Sequence, residues 1–427
     1  MMSLDNFYFD IKFSTMNINP QKIDDGAWGI CKILQTSGYQ AYIVGGCVRD
    51  LLLEITPKDW DICTDASPEE VMELFPKTYP TGLQHGTITV VYNNLNYEVT
   101  TFRTEGVYTD GRRPDNVEFV KNLEEDLLRR DFTINAMAYD PINNILKDPF
   151  HGIKDLQNKV LRAVGFAAAR FSEDSLRVMR AARFAARLNY TIEHTTLTGM
   201  AVCSHKLDSI SKERIKGELV KILQTKTPSI GLQLLYDIEA FEYIMPHFHK
   251  TIYELKFDFT AIDNCDGMYE TKMAILMFDH GDMKFINQTL KTMTFSNDEI
   301  NNILFILNSL DEITKLYNQP VLNIRDGLTY IKNNSPYGYE EGLNQFMKFV
   351  ESIKLGGILD DLIKNRNQLI WGRNELQISG KDLIALGVQP GPKFKEILDL
   401  AYQEIMKNPN NNNKEYLLKF TQILSKK

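Results

Sequence analysis

Apolar residues follow two rhythms along the chain. Up to about Pro149 they come in strand-length runs, Ala41–Val44, Asp59–Cys63, Thr87–Tyr92 and Tyr97–Phe102, separated by turns and short helices. Beyond Pro149 they recur at helical spacing, from Leu176 through Met179 and Phe184 to Leu188, and again from Ile215 through Leu219 to Leu223. This predicts an α+β head, a mixed sheet with helices, followed by an all-α remainder. Pro20 predicts a helix running through Trp28 and Ile33 to a stop at Gly38. Ser67-Pro68-Glu69-Glu70 combines an N-cap, a first-turn proline and early acids, so a helix starts there and ends before Pro76. Breaks at Thr227-Pro228, Met245-Pro246, Ser335-Pro336 and Gln389-Pro390-Gly391-Pro392 divide the helical part, and Asn410 to Asn413 reads as a polar loop tip. The expected organisation is an N-terminal extension at 1–19, an α/β unit at 20–150, and helical parts at 151–225 and 226–427.

A chain of 427 residues exceeds one ordinary domain, and 43% hydrophobic with 24% charged residues suits a globular protein with a sizeable core. No run approaches the roughly 18 apolar residues of a membrane helix, and Met1 to Asp10 lacks the pattern of a secretion signal. The five cysteines contain no CxxC pair, which argues against a disulfide framework or structural zinc and for a cytoplasmic location. A net charge of −8 does not advertise a nucleic-acid binder. Within residues 121–225, however, Lys and Arg exceed Asp and Glu by about four, leaving room for a local positive face.

The chemistry concentrates after the first strand. Val44-Gly45-Gly46-Cys47-Val48-Arg49-Asp50 reads as a strand, two glycines and a helix start, a junction where backbone N–H groups approach a phosphate and Arg49 adds a cation. Asp59 and Asp61, two apart on a predicted strand, share a face and are candidate ligands for Mg2+. An Asp-x-Asp pair alone is commonly a solvated strand face. Two poor strand formers beside a phosphate-type turn favour a cation site instead. Glu98, on the strand Tyr97–Phe102, is the candidate third carboxylate.

Gly-Gly-x-Val-Arg-Asp with Asp59-Trp60-Asp61 resembles the nucleotidyltransferase motif of class II tRNA nucleotidyltransferases and bacterial poly(A) polymerases, which share a DNA polymerase beta-like head. Three further segments fit that family in order. Leu128-Arg129-Arg130-Asp131-Phe132-Thr133-Ile134-Asn135-Ala136 resembles its nucleotide and ribose motif. Asp148-Pro149-Phe150-His151-Gly152 with Asp155 resembles the head–neck hinge, and Glu173-Asp174-Ser175-Leu176-Arg177 through Arg180 and Arg183-Phe184 resembles the nucleobase-selecting helix. Fainter likeness continues at Ser211-Lys212-Glu213-Arg214-Ile215 with Glu218, and at Gly380-Lys381-Asp382-Leu383. The resemblance implies that Arg130, Arg180 and Arg183 contact nucleotide phosphates and that Asp131 and Asn135 lie near the ribose. Glu173 would orient Arg177.

Asp174 and Arg177, three apart, share a helix face. An i,i+3 ion pair is ordinary, but an acceptor beside a donor also matches the Watson–Crick edges of cytosine and adenine and opposes uracil and guanine. Thr104 to Asp115 reads as a loop, and in the family a flexible loop here accompanies the switch from C to A addition. The implied activity is a CCA tRNA nucleotidyltransferase using CTP and ATP, Mg2+ as cofactor and tRNA as partner, with helical neck, body and tail holding the acceptor arm. A poly(A) polymerase, an A-adding enzyme and a silent RNA-binding protein of the same fold are the alternatives.

Overall fold

The computed structural model describes residues 16–105, 117–255, 257–280, 282–317, 324–365, 373–407 and 411–425. Residues 1–15 of the extension and most of the Thr104–Asp115 loop lie outside them. The chain forms two compact units. The first comprises residues up to Asp263 together with Thr289–Thr294, and the second comprises Asn264–Gln288 and Phe295–Lys427. The expected boundary between residues 225 and 226 falls inside the first unit.

The first unit is built on a seven-stranded sheet of β1 (Ala41–Val44), β2 (Asp61–Thr64), β3 (Thr78–Gly82), β4 (Thr87–Tyr92), β5 (Leu95–Thr101), β8 (Ala138–Asp140) and β9 (Ile145–Lys147), in the order β3-β4-β5-β2-β1-β8-β9. Its pairings are antiparallel except β2 with β5, which run parallel. A separate ribbon pairs β6 (Arg103–Glu105) with β7 (Val117–Phe119).

The helices of the head are α1 (Asp25–Thr36), α2 (Gly46–Leu52), α3 (Pro68–Leu74), α4 (Leu123–Leu128) and α5 (Gly152–Asn158). α3 carries the expected cap in full, with the Ser67 side chain accepting from Glu70 N and the Glu70 carboxylate accepting from Ser67 N. The helix expected from Pro20 differs. Pro20–Lys22 is a single 3-10 turn, and α1 starts afresh at Asp25 because the Asp24 carboxylate accepts from Gly26 N and Ala27 N. Under the sheet, Val44, Cys63, Phe102, Leu127, Ala136 and Val164 form one buried cluster.

Past Pro149 the described elements are helices except that β10 (Val160–Leu161) and β11 (Thr191–Ile192) form a two-residue parallel bridge and Ala163 bridges back to Phe132. Neither was long enough to show a period of two. α6 (Ala167–Glu173), α7 (Leu176–Leu188), α8 (His194–Cys203), α9 (Lys212–Leu223) and α10 (Pro228–Asp237) follow. α7 packs against both α9 and α10, burying Val178, Met179, Ala181, Ala182 and Ala185. That packing keeps residues after 225 in the first unit.

The second unit is helical throughout its described residues. Its helix Tyr269–Met277 is buried nearly all round and packs on Asn297–Tyr317 and Tyr339–Ser352. Near the C-terminus Leu376, Ile378, Ala401, Ile405 and Leu417 form a small core. Asn412, expected on an idle loop tip, holds this part together, donating to Glu375 O at 3.1 Å and accepting from Gln377 N at 3.1 Å. All five cysteines are buried free thiols. Among the described residues no helix is long and apolar enough to cross a membrane.

Candidate active site

The site grows from the end of β1. Gly45 takes φ 79° and ψ −134°, a conformation open to glycine, and α2 begins at the next residue. Space makes a second demand, since a Cβ at Gly45 would lie 3.0 Å from the Arg130 guanidinium and 3.6 Å from the Asp61 carboxylate. Antiparallel register sets Val44 opposite Asp61, so the turn and the carboxylate meet by sheet geometry. Parallel register then sets Asp61 beside Glu98 on the neighbouring strand.

Asp59 departs from expectation. β2 begins only at Asp61, and Asp59 lies in the bend before it, because Pro57 and two aspartates do not sustain a strand that far back. The two carboxylates still line one cleft. Burial, and then the charge of Asp59, raise the Asp61 carboxyl above the usual range, with Arg130 opposing. Glu98 is likewise raised, by burial and by Asp61 and Asp59. Carboxylates crowded in this way fit a divalent cation, whose charge would relieve them. Glu98, expected as the third carboxylate, lies beside Asp61 on the neighbouring strand and feels the charge of both aspartates.

Facing these acids is a wall of arginine. The cleft, about 580 Å³, is lined by eight arginines and four aspartates. Arg129 and Arg130 are anchored on Asp126, whose carboxylate is wholly buried, at 2.9 and 3.4 Å. Arg49, expected as the cation of the glycine turn, is only 3% exposed. Its fork donates to Asp50 at 2.6 and 2.9 Å and to the Asn135 amide oxygen at 2.6 Å. Asn135 in turn donates to Asp131 at 3.1 Å, and Asp131 accepts from Arg180 Nε at 2.9 Å. Burial alone would raise the Asp131 carboxyl, but the charge and hydrogen bonds of Arg180, with Asn135, bring it down to about 2. Arg187 closes the series on Asp50 at 3.4 Å.

The segment expected as one base-selecting helix is broken. α6 ends at Glu173, Asp174 is extended at φ −132° and ψ 101°, and α7 starts at Leu176. Asp174 therefore sits in the corner between two helices, outside the regular helix but still one turn before Arg177, from whose N–H its carbonyl accepts at 3.0 Å. There it accepts from Leu176 N at 3.2 Å and, through both oxygens, from Arg214 at 3.1 and 3.2 Å. The expected support of Arg177 by Glu173 is present at 3.0 Å, and the carbonyls of Arg170 and Arg129 take further donors at 3.1 Å. Arg183 pairs with Glu218 at 2.8 Å. Gly45, Gly46, Arg49, Arg130, Asp131, Asn135, Asp174, Arg177, Arg180 and Arg183 all line this cleft, whereas Glu173 lies behind Arg177. Sequence reasoning left out Arg129, Arg187 and Arg214, although Arg129 and Arg214 lie inside the quoted motifs.

A family model described as "Poly A polymerase head domain" matches residues 41–162, and a tRNA nucleotidyltransferase domain 2 model matches residues 270–421. The chain is 38% identical over 394 residues to the CCA-adding enzyme of Ligilactobacillus salivarius, covering 91% of this chain and 94% of that protein. It is 36% identical over 401 residues to the CCA-adding enzyme of Streptococcus agalactiae, covering 92% and 94%. Among solved structures, the Bacillus stearothermophilus CCA-adding enzyme in complex with CTP aligns with TM-score 0.67 at 30% identity, over 94% of this chain and 97% of that one. The Thermotoga maritima CCA-adding enzyme complexed with tRNA shares the fold at TM-score 0.65 and 21% identity, over 95% and 97%. With glycine turn, carboxylates and arginine wall assembled in one cleft, and likeness running through both units, the chain belongs to the CCA-adding enzyme family.

Proposed function

We propose that this protein adds C, C and A to the 3′ end of tRNA from CTP and ATP, releasing pyrophosphate, in the cytoplasm. The observation that carries the reading is one cleft in which eight arginines face Asp59 and Asp61 across the Gly45 turn. Such a cleft suits a triphosphate whose α-phosphorus must be brought to a hydroxyl, where positioning and charge neutralisation supply most of the rate. Asp59 and Asp61 would hold Mg2+, which supplies Lewis acidity and charge neutralisation at the reacting phosphate when bound. Arg130, Arg180 and Arg183 bind the phosphates. Asp131 and Asn135 take the ribose, which requires Asp131 to exchange part of its bond with Arg180 for a sugar hydroxyl.

Asp174 and Arg177 read the base as acceptor and donor. Arg214, donating to both Asp174 oxygens, fixes the orientation of that carboxylate, and Glu173 aims Arg177. Each unpaired polar contact made by a wrong base costs about 1–3 kcal/mol, enough to reject UTP and GTP. The test is single-nucleotide extension of tRNAs ending before CCA, after C and after CC, with each NTP and with CTP plus ATP. The expected result is stepwise CCA addition that stops. A single A added only to the CC-ended tRNA, an unlimited A tail, or tRNA binding without extension each replaces this reading with one of its alternatives.

A further inference from the structure

Arg129 is engaged at both ends. Its side chain donates from Nε to Asp126 at 2.9 Å, and its backbone carbonyl accepts from the Arg177 guanidinium at 3.1 Å. The Leu128 carbonyl beside it accepts from Arg170 at 3.3 Å, and Arg170 pairs at 2.8 Å with Glu173, the carboxylate that aims Arg177. Both carbonyls stand at the C-terminal end of α4, where a helix leaves its last carbonyls without partners of its own. Arg170 and Arg177 supply those partners. We propose that Asp126 is a positioning residue for base selection: without touching the nucleotide, it anchors the end of α4 and so fixes where the base-reading Arg177 stands. The proposal rests on the transferase reading of the cleft.

Asp126 is fully buried, and a buried carboxylate persists only where charges and donors compensate it. Here they come from two directions. Oδ1 accepts from Arg129 Nε and, at 3.3 Å, from the backbone N–H of Arg103 in β6, while Oδ2 accepts from Arg130 at 3.4 Å. Burial alone would raise the carboxyl, but the charges of Arg129 and Arg130 hold it below its ordinary value. Asp126 is therefore a fixed negative charge behind the arginine wall, not among the residues that line the cleft. Arg130 extends its reach to the carboxylate side, since the Arg130 guanidinium lies against Gly45 and opposes the rise of the Asp61 carboxyl.

Reading a base with one acceptor and one donor depends on aim as well as presence, because a hydrogen bond weakens steeply once it bends. The Arg177 fork is aimed from three sides, by the Glu173 carboxylate and by the carbonyls of Arg170 and Arg129. Of these, the Arg129 carbonyl is the one that α4 positions, and Asp126 locks the side chain of that same residue. Loosening it lets the guanidinium swing. A donor that can follow an acceptor to the other end of the edge takes uracil as well as cytosine, so losing Asp126 costs discrimination and not merely rate.

The test compares the full-length wild type with Asp126→Asn, which keeps the shape and removes the charge, and with Arg129→Lys, which keeps a cation and loses the Nε contact. On a tRNA ending before CCA, kcat/KM is measured for CTP and for UTP, with tRNA binding by filter assay and the urea midpoint of each protein. Asp126→Asn is expected to lower the CTP-over-UTP ratio roughly tenfold, the worth of about one polar contact to the base, with tRNA binding unchanged. A general loss of structure would depress both nucleotides alike and leave the ratio intact, and that result overturns the proposal. If Asp126→Asn does not fold, Arg129→Lys decides: a lowered ratio supports the role of Asp126 and an unchanged ratio overturns it. If the wild type extends no tRNA, the transferase reading itself fails; if it prefers CTP and the folded variants prefer it equally, only the role of Asp126 fails.

Discussion

Single side chains in the site have had their chemistry set by neighbours. Burial and mutual repulsion hold Asp61 and Glu98 above the ordinary carboxylate range, so as pH falls they protonate while typical carboxylates are still ionised. The acid limb of nucleotide incorporation is therefore expected above the usual carboxylate pKa of about 4, and higher Mg2+ should move it downward. A pH–rate profile at two Mg2+ concentrations checks this; a limb at or below 4 that ignores Mg2+ would contradict it. Asp131 has the opposite sign. Its carboxyl is depressed to about 2, so its pairing with Arg180 contributes stability above the unfolded-state pKa and loses it as pH falls through the folded value. At this scale the sequence was informative about residue identity and poor about partners. Arg49 was legible as a cation beside a glycine turn, but that Asn135 would share its fork with the adjacent Asp50 depends on a residue 86 positions away.

Elements place those residues, and their ends matter more than their middles. The strands with a clear apolar run, such as β1, were readable, while β8 and β10 are three and two residues long and lack any run to read. The break between α6 and α7 was hidden because Asp174-Ser175 interrupts the backbone without interrupting the apolar spacing. Gly152 marks another such end. It opens α5, where the Asp148 carboxylate accepts from Gly152 N and Ile153 N, and a Cβ there would lie 2.4 Å from the Thr133 carbonyl oxygen and 3.0 Å from Met137 Sδ. Backbone cannot yield as a side chain can, so Gly152→Ala should destabilise the protein by about 1–3 kcal/mol, read as a lower urea midpoint. An unchanged midpoint would mean that α5 is not seated as tightly as this contact requires. The pressed carbonyl belongs to Thr133, between the arginine pair 129–130 and Asn135, so Gly152 also sets the depth at which that segment lies.

Across the whole molecule, a net charge of −8 coexists with a cleft of eight arginines. Overall charge opposes RNA and local charge attracts it, and within a Debye length of about 8–10 Å the local term governs. tRNA affinity should accordingly fall as salt rises, with a negative slope of log K on log salt in a filter-binding titration; a flat line would argue against phosphate contacts. Composition alone could not reveal this, because an average erases the placement of charge. The ion pairs of the cleft carry one more implication, for how this chain can be cut and recombined. Asp50 and Asp131 come from the sheet-bearing part, and Arg187 and Arg180, which answer them, come from α7. A graft spliced at residue 150 would take Asp131 from one parent and Arg180 from the other, while Asp50 would keep Arg49 and change only its Arg187 partner. The smallest piece that is electrically whole, and so transferable between relatives, runs from the first strand through α9, where Arg214 and Glu218 complete the last of these pairs.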